Sequence, residues 1–306
     1  DKMFRQYTAV RLLKAMYEPK QKGYGSTAHE HEFDNSDDAH AAMFSLQYSL
    51  AKVIMEECGV MPQAVMGYSN GEIAAAVISG MMTLEDVCKL FATVEFRNFH
   101  KGVGGMAVVG DISWHELQSM IIEVGDPLVV ISAIYSETSY MVSGPMASVQ
   151  ETARRLEAAG FMNVTILNTP YAAHSYLHQI VMTRPTDVQL KAPSVPYASS
   201  AVGGWVRTAH CPHSLDWAIP FEQPVRFKHA MDCLHEAGMD VLLDISVRAD
   251  LTYYYKIWSF GRELPIAAVP TLRMNYDAAE QMRLAAAEMH LLGLNVNPAC
   301  LYTQAG

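Results

Sequence analysis

The sequence predicts an α/β fold in which a large α/β body is interrupted by a small α+β lobe. The pattern of strands and helices changes twice along the chain, near residues 104 and 168, and longer strand and helix alternation lies on both sides. A composition of 50% hydrophobic and 18% charged residues over 306 positions suits a chain that buries a large core. We therefore expect residues 1–103 and 169–306 to form the body and residues 104–168 to form the inserted lobe.

Predicted elements of the body begin with three helices and one short strand. A helix begins near Ser36 and ends at Gly59, with its apolar residues on one face. A strand at residues 63–66 leads into a helix at residues 73–78. The sequence T-L-E-D at 83–86 is a capping box that opens a third helix. The buried stripe of this third helix is predicted to be Leu84, Val87, Cys88, Phe91 and Val94.

The lobe and the second part of the body continue the alternation. In the lobe the predicted order is strand, helix, two strands, helix and strand, which suits a small split βαβ sheet. These segments are residues 106–109, 114–124, 128–134, 140–143, 148–159 and 163–167. The second part of the body is predicted to contain a helix at 225–237, a strand at 241–245 and a helix at 277–292.

The charge balance and the apolar runs exclude several classes of protein. The chain has 22 Lys and Arg residues against 32 Asp and Glu residues, and its formal charge of −10 repels phosphate backbones. The longest apolar stretch, residues 73–82, is shorter than the roughly eighteen residues that span a bilayer. The charged opening Asp1-Lys2 is not a secretory signal. We therefore expect a cytoplasmic protein with no nucleic acid partner and no membrane partner.

The cysteine and histidine patterns favour no metal site. The five cysteines are scattered, odd in number and lack a C-x-x-C pair, so neither a disulfide framework nor a zinc site is indicated. The run T-A-H-E-H-E at 27–32 carries side chains of the metal-ligating type, but it lies in a polar sequence without a cage. We interpret this run as a solvated loop.

A G-x-S-x-G pattern at residues 67–71 stands between a predicted strand and a predicted helix. This context is what a nucleophile elbow requires, because the glycines let strand and helix pack closely around a tight turn. The turn lifts the Ser69 hydroxyl out of the sheet edge, and the N–H of Asn70 and the helix dipole then face any oxyanion formed there. A plain serine in a glycine-bounded turn is the alternative interpretation.

A serine nucleophile needs a base, and position favours His174 among the 12 histidines of the chain. This residue lies just after a predicted strand and among small residues that leave room for a substrate. A structural histidine with satisfied hydrogen bonds is the alternative interpretation.

Several motifs together carry a family resemblance. They are G-Y-S-N-G-E at 67–72, I-A-A-A at 73–76, Y-A-A-H-S at 171–175, P-V-R-F at 224–227 and L-D-I-S at 243–246. In this order they resemble the malonyl-CoA:ACP transacylase family, which includes polyketide synthase acyltransferase domains and free-standing relatives such as acyl hydrolases. The resemblance covers nearly the whole chain. It implies a large α/β-hydrolase-like domain with an inserted small ferredoxin-like α+β subdomain.

The resemblance also implies roles for individual residues. Ser69 would be the nucleophile of a Ser-His dyad, His174 its base, and Asn70 a source of an oxyanion N–H. A backbone carbonyl would orient the imidazole, and alignment on residues 224–227 assigns that carbonyl to Pro220. The implied substrate is an acyl thioester of CoA or of phosphopantetheine, the implied partners are an acyl carrier protein and acyl-CoA, and no metal or redox cofactor takes part.

The expected acyl pocket departs from the family pattern. Family members that handle malonyl-type substrates place an arginine where this chain has Val94. A desolvated carboxylate without a cation partner is unfavourable by several kcal/mol, so we expect an acyl group that is not a diacid. Arg97, one turn further along the predicted helix, is the alternative cation. The residues expected to line the pocket are Tyr68, Val94, Arg97, Tyr171 and Ala173.

The beginning of the chain departs from the family pattern as well. The family normally opens with a strand and a Gly-Gln-Gly turn whose Gln region supplies the second oxyanion donor, and this chain begins beyond that point. Either the sequence given lacks its true N-terminus or the oxyanion hole is incomplete. We favour the first explanation, because removal of a central strand would expose strand edges and core.

Three functions follow from these features. The first is an acyltransferase of polyketide or fatty-acid-type biosynthesis that moves a non-malonyl acyl group between thioester carriers through an acyl-Ser69 intermediate. The second is a thioester hydrolase that clears stalled carrier proteins, with water as the acceptor. The third is a catalytically weak docking or scaffold domain. The sequence favours the first.

Overall fold

A computed structural model describes residues 2–7, 12, 37–98, 104–169, 171–182, 188, 190–207, 223–263, 266–297 and 299. Helices α1 to α9 are Phe4–Tyr7, Asp37–Lys52, Gly71–Ile78, Leu84–Thr93, Trp114–Val124, Met146–Ala158, Phe227–Glu236, Asp250–Ser259 and Ala278–Leu291. Strands β1 to β11 are Val65–Gly67, Val94–Asn98, Gly104–Val109, Val130–Ile134, Tyr140–Pro145, Val164–Ile166, His178–Met182, Tyr197–Ser199, Gly204–Trp205, Val241–Asp244 and Ala267–Pro270. A π-helical turn, Val53–Glu57, continues α2.

Four strands form an antiparallel sheet in the order β4-β5-β3-β6. Along the chain this region has the order β3-α5-β4-β5-α6-β6, as the sequence predicts. Ser113 and Glu116 form a reciprocal capping box that begins α5, and Gly125 ends it with a φ of +75°. The helices pack on the sheet through fully buried side chains that include Leu117 and Leu156. This sheet therefore has an apolar core of its own.

The body contains two short parallel pairings. β1 pairs with β8, and β10 pairs with β11, while β9 pairs antiparallel with β8. Within the described residues, β1 and β10 each have a partner strand on one side only. Helices α2, α3 and α4 share an apolar core that includes Phe44, Ile73 and Phe91. This packing holds α3 close to β1 and so constrains the path of the short turn that joins them.

The third predicted helix ends earlier than the sequence indicates. Its capping box is confirmed, because Thr83 and Asp86 exchange hydrogen bonds of 3.0 Å and 3.1 Å. The helix stops at Thr93, however, and Val94 begins β2, which pairs antiparallel with β7. Val94 is β-branched and favours an extended backbone once a partner strand supplies the hydrogen bonds. The placement of Val94 in a helical stripe, and of Arg97 one helical turn further, is therefore wrong.

Several predicted segments are confirmed with small shifts at their ends, and the helix at 114–124 matches in full. The sequence does not predict α8, β7, β8 or β11. The three strands β7, β8 and β11 are each five residues or shorter, and the strand that each pairs with is distant in sequence. Short strands carry too few alternating positions to be recognised without that partner.

Some predictions concern residues outside the described part of the chain. The T-A-H-E-H-E run at 27–32 and Pro220 both lie outside it. Among the residues that are described, no group of three or more His, Cys, Asp and Glu side chains is placed to hold a metal ion. No helix in the described ranges combines the length and apolar character needed to cross a bilayer.

Candidate active site

The turn between β1 and α3 holds Ser69 in a strained conformation. β1 ends at Gly67 and α3 begins at Gly71, so the chain reverses within three residues. Ser69 has a φ of +51°, a left-handed conformation that costs a non-glycine residue about 1–3 kcal/mol. Two hydrogen bonds close the turn, from the N–H of Gly71 to the Tyr68 carbonyl at 2.8 Å and from that of Glu72 to the Ser69 carbonyl at 3.0 Å. The geometry is that of a nucleophile elbow.

Gly67 permits the close approach of strand and helix at this turn. A Cβ atom at position 67 would stand 2.5 Å from the Cα of Glu72 and 2.8 Å from its backbone nitrogen. At position 71 a Cβ atom would meet nothing within 4 Å. The first glycine of the motif is therefore required by packing, and the second is not.

His174 lies against the serine hydroxyl. Its Nε2 is 3.0 Å from the Oγ of Ser69, and its Nδ1 is 3.0 Å from the carbonyl oxygen of Gln223. A carbonyl only accepts hydrogen bonds, so Nδ1 carries the proton and Nε2 is left to accept from the hydroxyl. His174 is 5% exposed and has a φ of +55°. The structure thus brings together the two residues that the sequence pairs, although they are 105 positions apart.

A backbone carbonyl lies against Nδ1 of His174, as the family resemblance implies. In the described part of the chain this carbonyl belongs to Gln223, whose oxygen accepts from Nδ1. Alignment with the family assigns the orienting carbonyl to Pro220, which lies outside the described residues, so that assignment stays a prediction. The contact with Gln223 itself is not predicted by any short motif, because it depends on the path of the backbone.

Asn70 occupies the position expected of an oxyanion donor. It is the residue just before α3, where backbone N–H groups have no partner within the helix and the helix dipole is positive. Its side chain is engaged elsewhere: Oδ1 lies 3.3 Å from Nδ1 of His40, and Nδ2 donates to the His40 carbonyl at 3.3 Å. Burial lowers the pKa of His40, and the hydrogen bond to Asn70 opposes this decrease. The pair fixes Asn70 against α2.

Tyr68 belongs to a stacked aromatic cluster. Its hydroxyl lies 2.9 Å from that of Tyr135, which follows β4, and its ring stacks on Tyr254 of α8 with centroids 5.1 Å apart. Phe227 of α7 contacts these rings edge-on. Burial raises the pKa of Tyr68 and of Tyr135 well above the usual value. Tyr68, the residue before Ser69, therefore joins the elbow to the four-stranded sheet.

We expect Tyr135→Phe to lower the free energy of unfolding by about 1–3 kcal/mol, because it removes one hydrogen-bond partner of the buried Tyr68 hydroxyl. The double variant Tyr68→Phe with Tyr135→Phe leaves no hydroxyl of the pair behind and is expected to be more stable than the single variant. Urea unfolding curves measure both effects. Tyr253→Phe, at a residue that is 57% exposed, is the control. Equal stability of the single variant and the wild type would contradict this account.

For the other residues expected to line the acyl pocket, the structure gives the burial or the position in a strand. Tyr171 and Ala173 are partly buried, and the segment that holds them passes the start of β3, where a Cβ on Gly104 would stand 2.6 Å from the nitrogen of Ala172. Val94 and Arg97 lie on β2, with Arg97 paired to Gln179 of β7. β2 directly follows α4, and β7 follows the segment that holds His174.

A cavity of about 1040 Å³ borders Ser69 and Asn70. Its wall includes residues of β1 and β10, the two strands that have a partner on one side only in the described part of the chain. Most of the other side chains that line it are apolar, among them Met66 and Ala74. The cavity extends well beyond Ser69, so its volume does not define the length of an acyl group.

Four residues of the site were missed by reasoning from sequence: His40, Glu72, Tyr135 and Gln223. Glu72 offers a detectable signal, since an acidic residue directly before the apolar run I-A-A-A on a buried helix must find donors in the core. His40 shares the helical spacing of the buried face of α2. No local pattern marks Tyr135 or Gln223, because their contacts with the site are long-range.

Comparison with known proteins identifies the family. The family model described as acyl transferase domain matches residues 1–296. The chain is 28% identical over 272 residues to a mycocerosic acid synthase-like polyketide synthase from Mycolicibacterium smegmatis. It is 27% identical over 271 residues to the pikromycin polyketide synthase component PikAIII from Streptomyces venezuelae. These alignments cover 87% and 86% of this chain but span only 13% and 16% of the relatives.

Solved structures share the fold. The acyltransferase domain from module 8 of the salinomycin polyketide synthase has a TM-score of 0.80 and 23% identity, covering 98% of this chain and 69% of that one. The acyltransferase domain from the second module of the same synthase has a TM-score of 0.75 and 26% identity, covering 91% and 65%. With the family match over nearly the full length, these similarities show that the chain belongs to the acyl transferase domain family.

Proposed function

We propose that this chain transfers an acyl group between thioesters of CoA or of an acyl carrier protein through an acyl-Ser69 intermediate, in polyketide or fatty-acid-type biosynthesis. The observation that supports it is the placement of His174 between the Ser69 hydroxyl and the Gln223 carbonyl, 3.0 Å from each. The relatives are polyketide synthases, and the family is that of acyl transferase domains.

The dyad would act in two symmetrical steps. Ser69 Oγ attacks the thioester carbonyl carbon while its proton passes to Nε2 of His174, and the oxyanion faces the N–H of Asn70. The C–S bond breaks, and His174 returns the proton to the departing sulfur. The phosphopantetheine thiol of a carrier protein then attacks the acyl-serine, with proton transfer through His174 again, and the Ser69 hydroxyl is restored.

The acyl group is proposed to be other than a malonyl-type diacid. Val94 stands where family members for diacids have an arginine, and a buried carboxylate without a cation is strongly unfavourable. The helical argument that linked Arg97 to this position no longer applies, because both residues lie on β2. Ser69 and His174 would serve hydrolysis equally well, and a proofreading hydrolase is the alternative function. The two functions differ in the acceptor of the acyl group, which is a carrier-protein thiol in transfer and water in hydrolysis.

Mass spectrometry of the intact protein tests this proposal with matched acyl-CoA thioesters. We expect adducts on Ser69 from acetyl, propionyl or longer monoacyl thioesters, little from malonyl and methylmalonyl thioesters, and none in Ser69→Ala. A phosphopantetheinylated carrier protein added to the loaded enzyme should then become acylated faster than free acid appears. Exclusive loading by diacids would contradict the substrate assignment, free acid as the main product would favour the hydrolase, and absence of any adduct would favour a docking or scaffold domain.

We infer a finer description of the fold as well. The order β3-α5-β4-β5-α6-β6 with sheet order β4-β5-β3-β6 supports a ferredoxin-like subdomain within an α/β-hydrolase-like domain. The boundaries proposed for this subdomain are residues 104 and 168, with residues 1–103 and 169–306 forming the larger domain. β3 begins at residue 104 and β6 ends at residue 166, which supports those limits.

A further inference from the structure

Glu72 is a buried acid that the acyl-transfer steps do not use. It lies in the first turn of α3 and is 1% exposed. Five donors surround its two carboxylate oxygens: the hydroxyls of Tyr197, Ser199 and Ser200 and the N–H groups of Ser200 and Ala201. Burial raises the pKa of Glu72, and the hydrogen bonds from Tyr197, Ser199 and Ser200 oppose the increase. Because these donors belong to residues 197–201, the hydrogen bonds of Glu72 connect α3 to a segment that is distant in sequence.

The backbone of Glu72 contacts the nucleophile directly. Its N–H donates to the carbonyl of Ser69 at 3.0 Å, and its Cα closes the space beside Gly67. Ser69 keeps its φ of +51° only because neighbouring groups hold the turn. A displacement of Glu72 would therefore displace the Ser69 hydroxyl.

The side chain of Glu72 reaches the segment that orients the base. Its Oε1 accepts from the N–H and the hydroxyl of Ser200, at 2.8 Å and 2.7 Å. The Ser200 carbonyl in turn accepts from the N–H of Arg226 at 2.7 Å, and the guanidinium of Arg226 donates to the Ala201 carbonyl at 2.5 Å. Three residues before Arg226 stands Gln223, whose carbonyl accepts from His174. A path of hydrogen bonds and short chain segments thus runs from Ser69 through Glu72 to His174.

We propose that Glu72 is a positioning residue of the dyad, which fixes the Ser69 turn and the Gln223 carbonyl relative to each other. This inference rests on the proposed acyl-Ser69 function. The cradle around Glu72 is built from donors, and a carboxylate is the side chain that only accepts. Glutamine has nearly the same shape, but its amide nitrogen is a donor and would face the Oγ of Ser199. That Oγ already accepts from the N–H groups of Ala201 and Val202 at 3.2 Å, so it is poorly placed to accept another hydrogen bond. Glu72→Gln therefore alters the hydrogen bonds while retaining the volume.

The experiment compares Glu72→Gln with Asp232→Asn in the whole chain. Asp232 of α7 also accepts from several donors, namely Lys228, the indole N–H of Trp258 and the guanidinium of Arg262, so it is an acid in a different cradle, and it does not line the cavity beside Ser69. The rate of Ser69 acylation is measured by mass spectrometry over a range of acyl thioester concentrations. We expect Glu72→Gln to lower the saturating rate about 10–100-fold with an unchanged half-saturating concentration, since misplacement of reacting groups by about 1 Å has such effects. Asp232→Asn should lose stability but keep the wild-type rate.

The outcomes separate this inference from the proposed function. If wild-type Ser69 takes up no acyl group from any thioester, the proposed function fails. If the wild type is acylated and folded Glu72→Gln is acylated at the same rate, the positioning role is overturned. An equal decrease in Asp232→Asn would also overturn it, because general loss of stability would explain both. Should Glu72→Gln not fold, Ser200→Ala removes one donor only, and an unchanged rate in that variant would overturn the role.

Discussion

His174→Asn is expected to lower the rate of Ser69 acylation by about 10²–10⁴-fold, the usual contribution of a positioned general base. In the proposed mechanism the imidazole accepts the Ser69 proton, and asparagine has no basic nitrogen. Asparagine is the best replacement, because His174 has a φ of +55° and asparagine tolerates the left-handed region better than most residues. Loss of rate can then be ascribed to the missing base.

Acylation kinetics followed by mass spectrometry measure this effect at saturating thioester. His115→Asn is the control, since His115 is an exposed histidine of α5. We expect His115→Asn to be acylated at the wild-type rate, and circular dichroism should show both variants folded. A folded His174→Asn protein that matches the wild type in acylation would remove the dyad from the mechanism.

Gly67→Ala is expected to lower the free energy of unfolding by about 3 kcal/mol, the upper part of the range for overpacking a tight interior. The added methyl group would stand 2.5 Å from the Cα of Glu72 and 2.7 Å from its Cδ, and neither the backbone nor the bonded carboxylate can move freely. The forced shift of Glu72 should also displace Ser69. We therefore expect slower labelling of Ser69 by a fluorophosphonate in addition to lower stability.

Gly71→Ala is the matched control for this prediction. It adds the same methyl group to the other glycine of the motif, at the start of α3, where nothing lies within 4 Å. Alanine is a better helix former than glycine, so this variant should be as stable as the wild type or more stable by up to about 1 kcal/mol. Urea unfolding and fluorophosphonate labelling are measured for both variants. Equal stability and equal labelling rates of Gly67→Ala and Gly71→Ala would contradict the packing argument.

The sequence predicts the local elements of the site well. The G-x-S-x-G pattern places Ser69 in a tight turn because strand, glycine and helix signals are adjacent in the chain, and the structure confirms this turn. The capping box of α4 is confirmed for the same reason, since it involves residues three positions apart. Signals that act over a few residues can be recognised without knowledge of the fold.

Errors from sequence arise where a distant partner decides the conformation. The helical pattern extends to Val94, but pairing of β2 with β7 turns residues 94–98 into a strand. The contact between the Gln223 carbonyl and Nδ1 of His174 is not predicted either, because it depends on the path of the chain before α7. In both cases a long-range contact decides the structure, and the local pattern carries no signal strong enough to show it.

By itself, the sequence determined the family, the order of elements in the four-stranded sheet and the elbow at Ser69, and it predicted the pairing of Ser69 with His174. Each of these depends on patterns within short segments or on several motifs read together. Only the tertiary structure decided that Tyr68 joins the Tyr135 and Tyr254 rings, and that Glu72 links the Ser69 turn to the segment of Gln223. Those contacts join residues far apart in the chain, and their free energy depends on distances and burial that exist only after the elements have packed together.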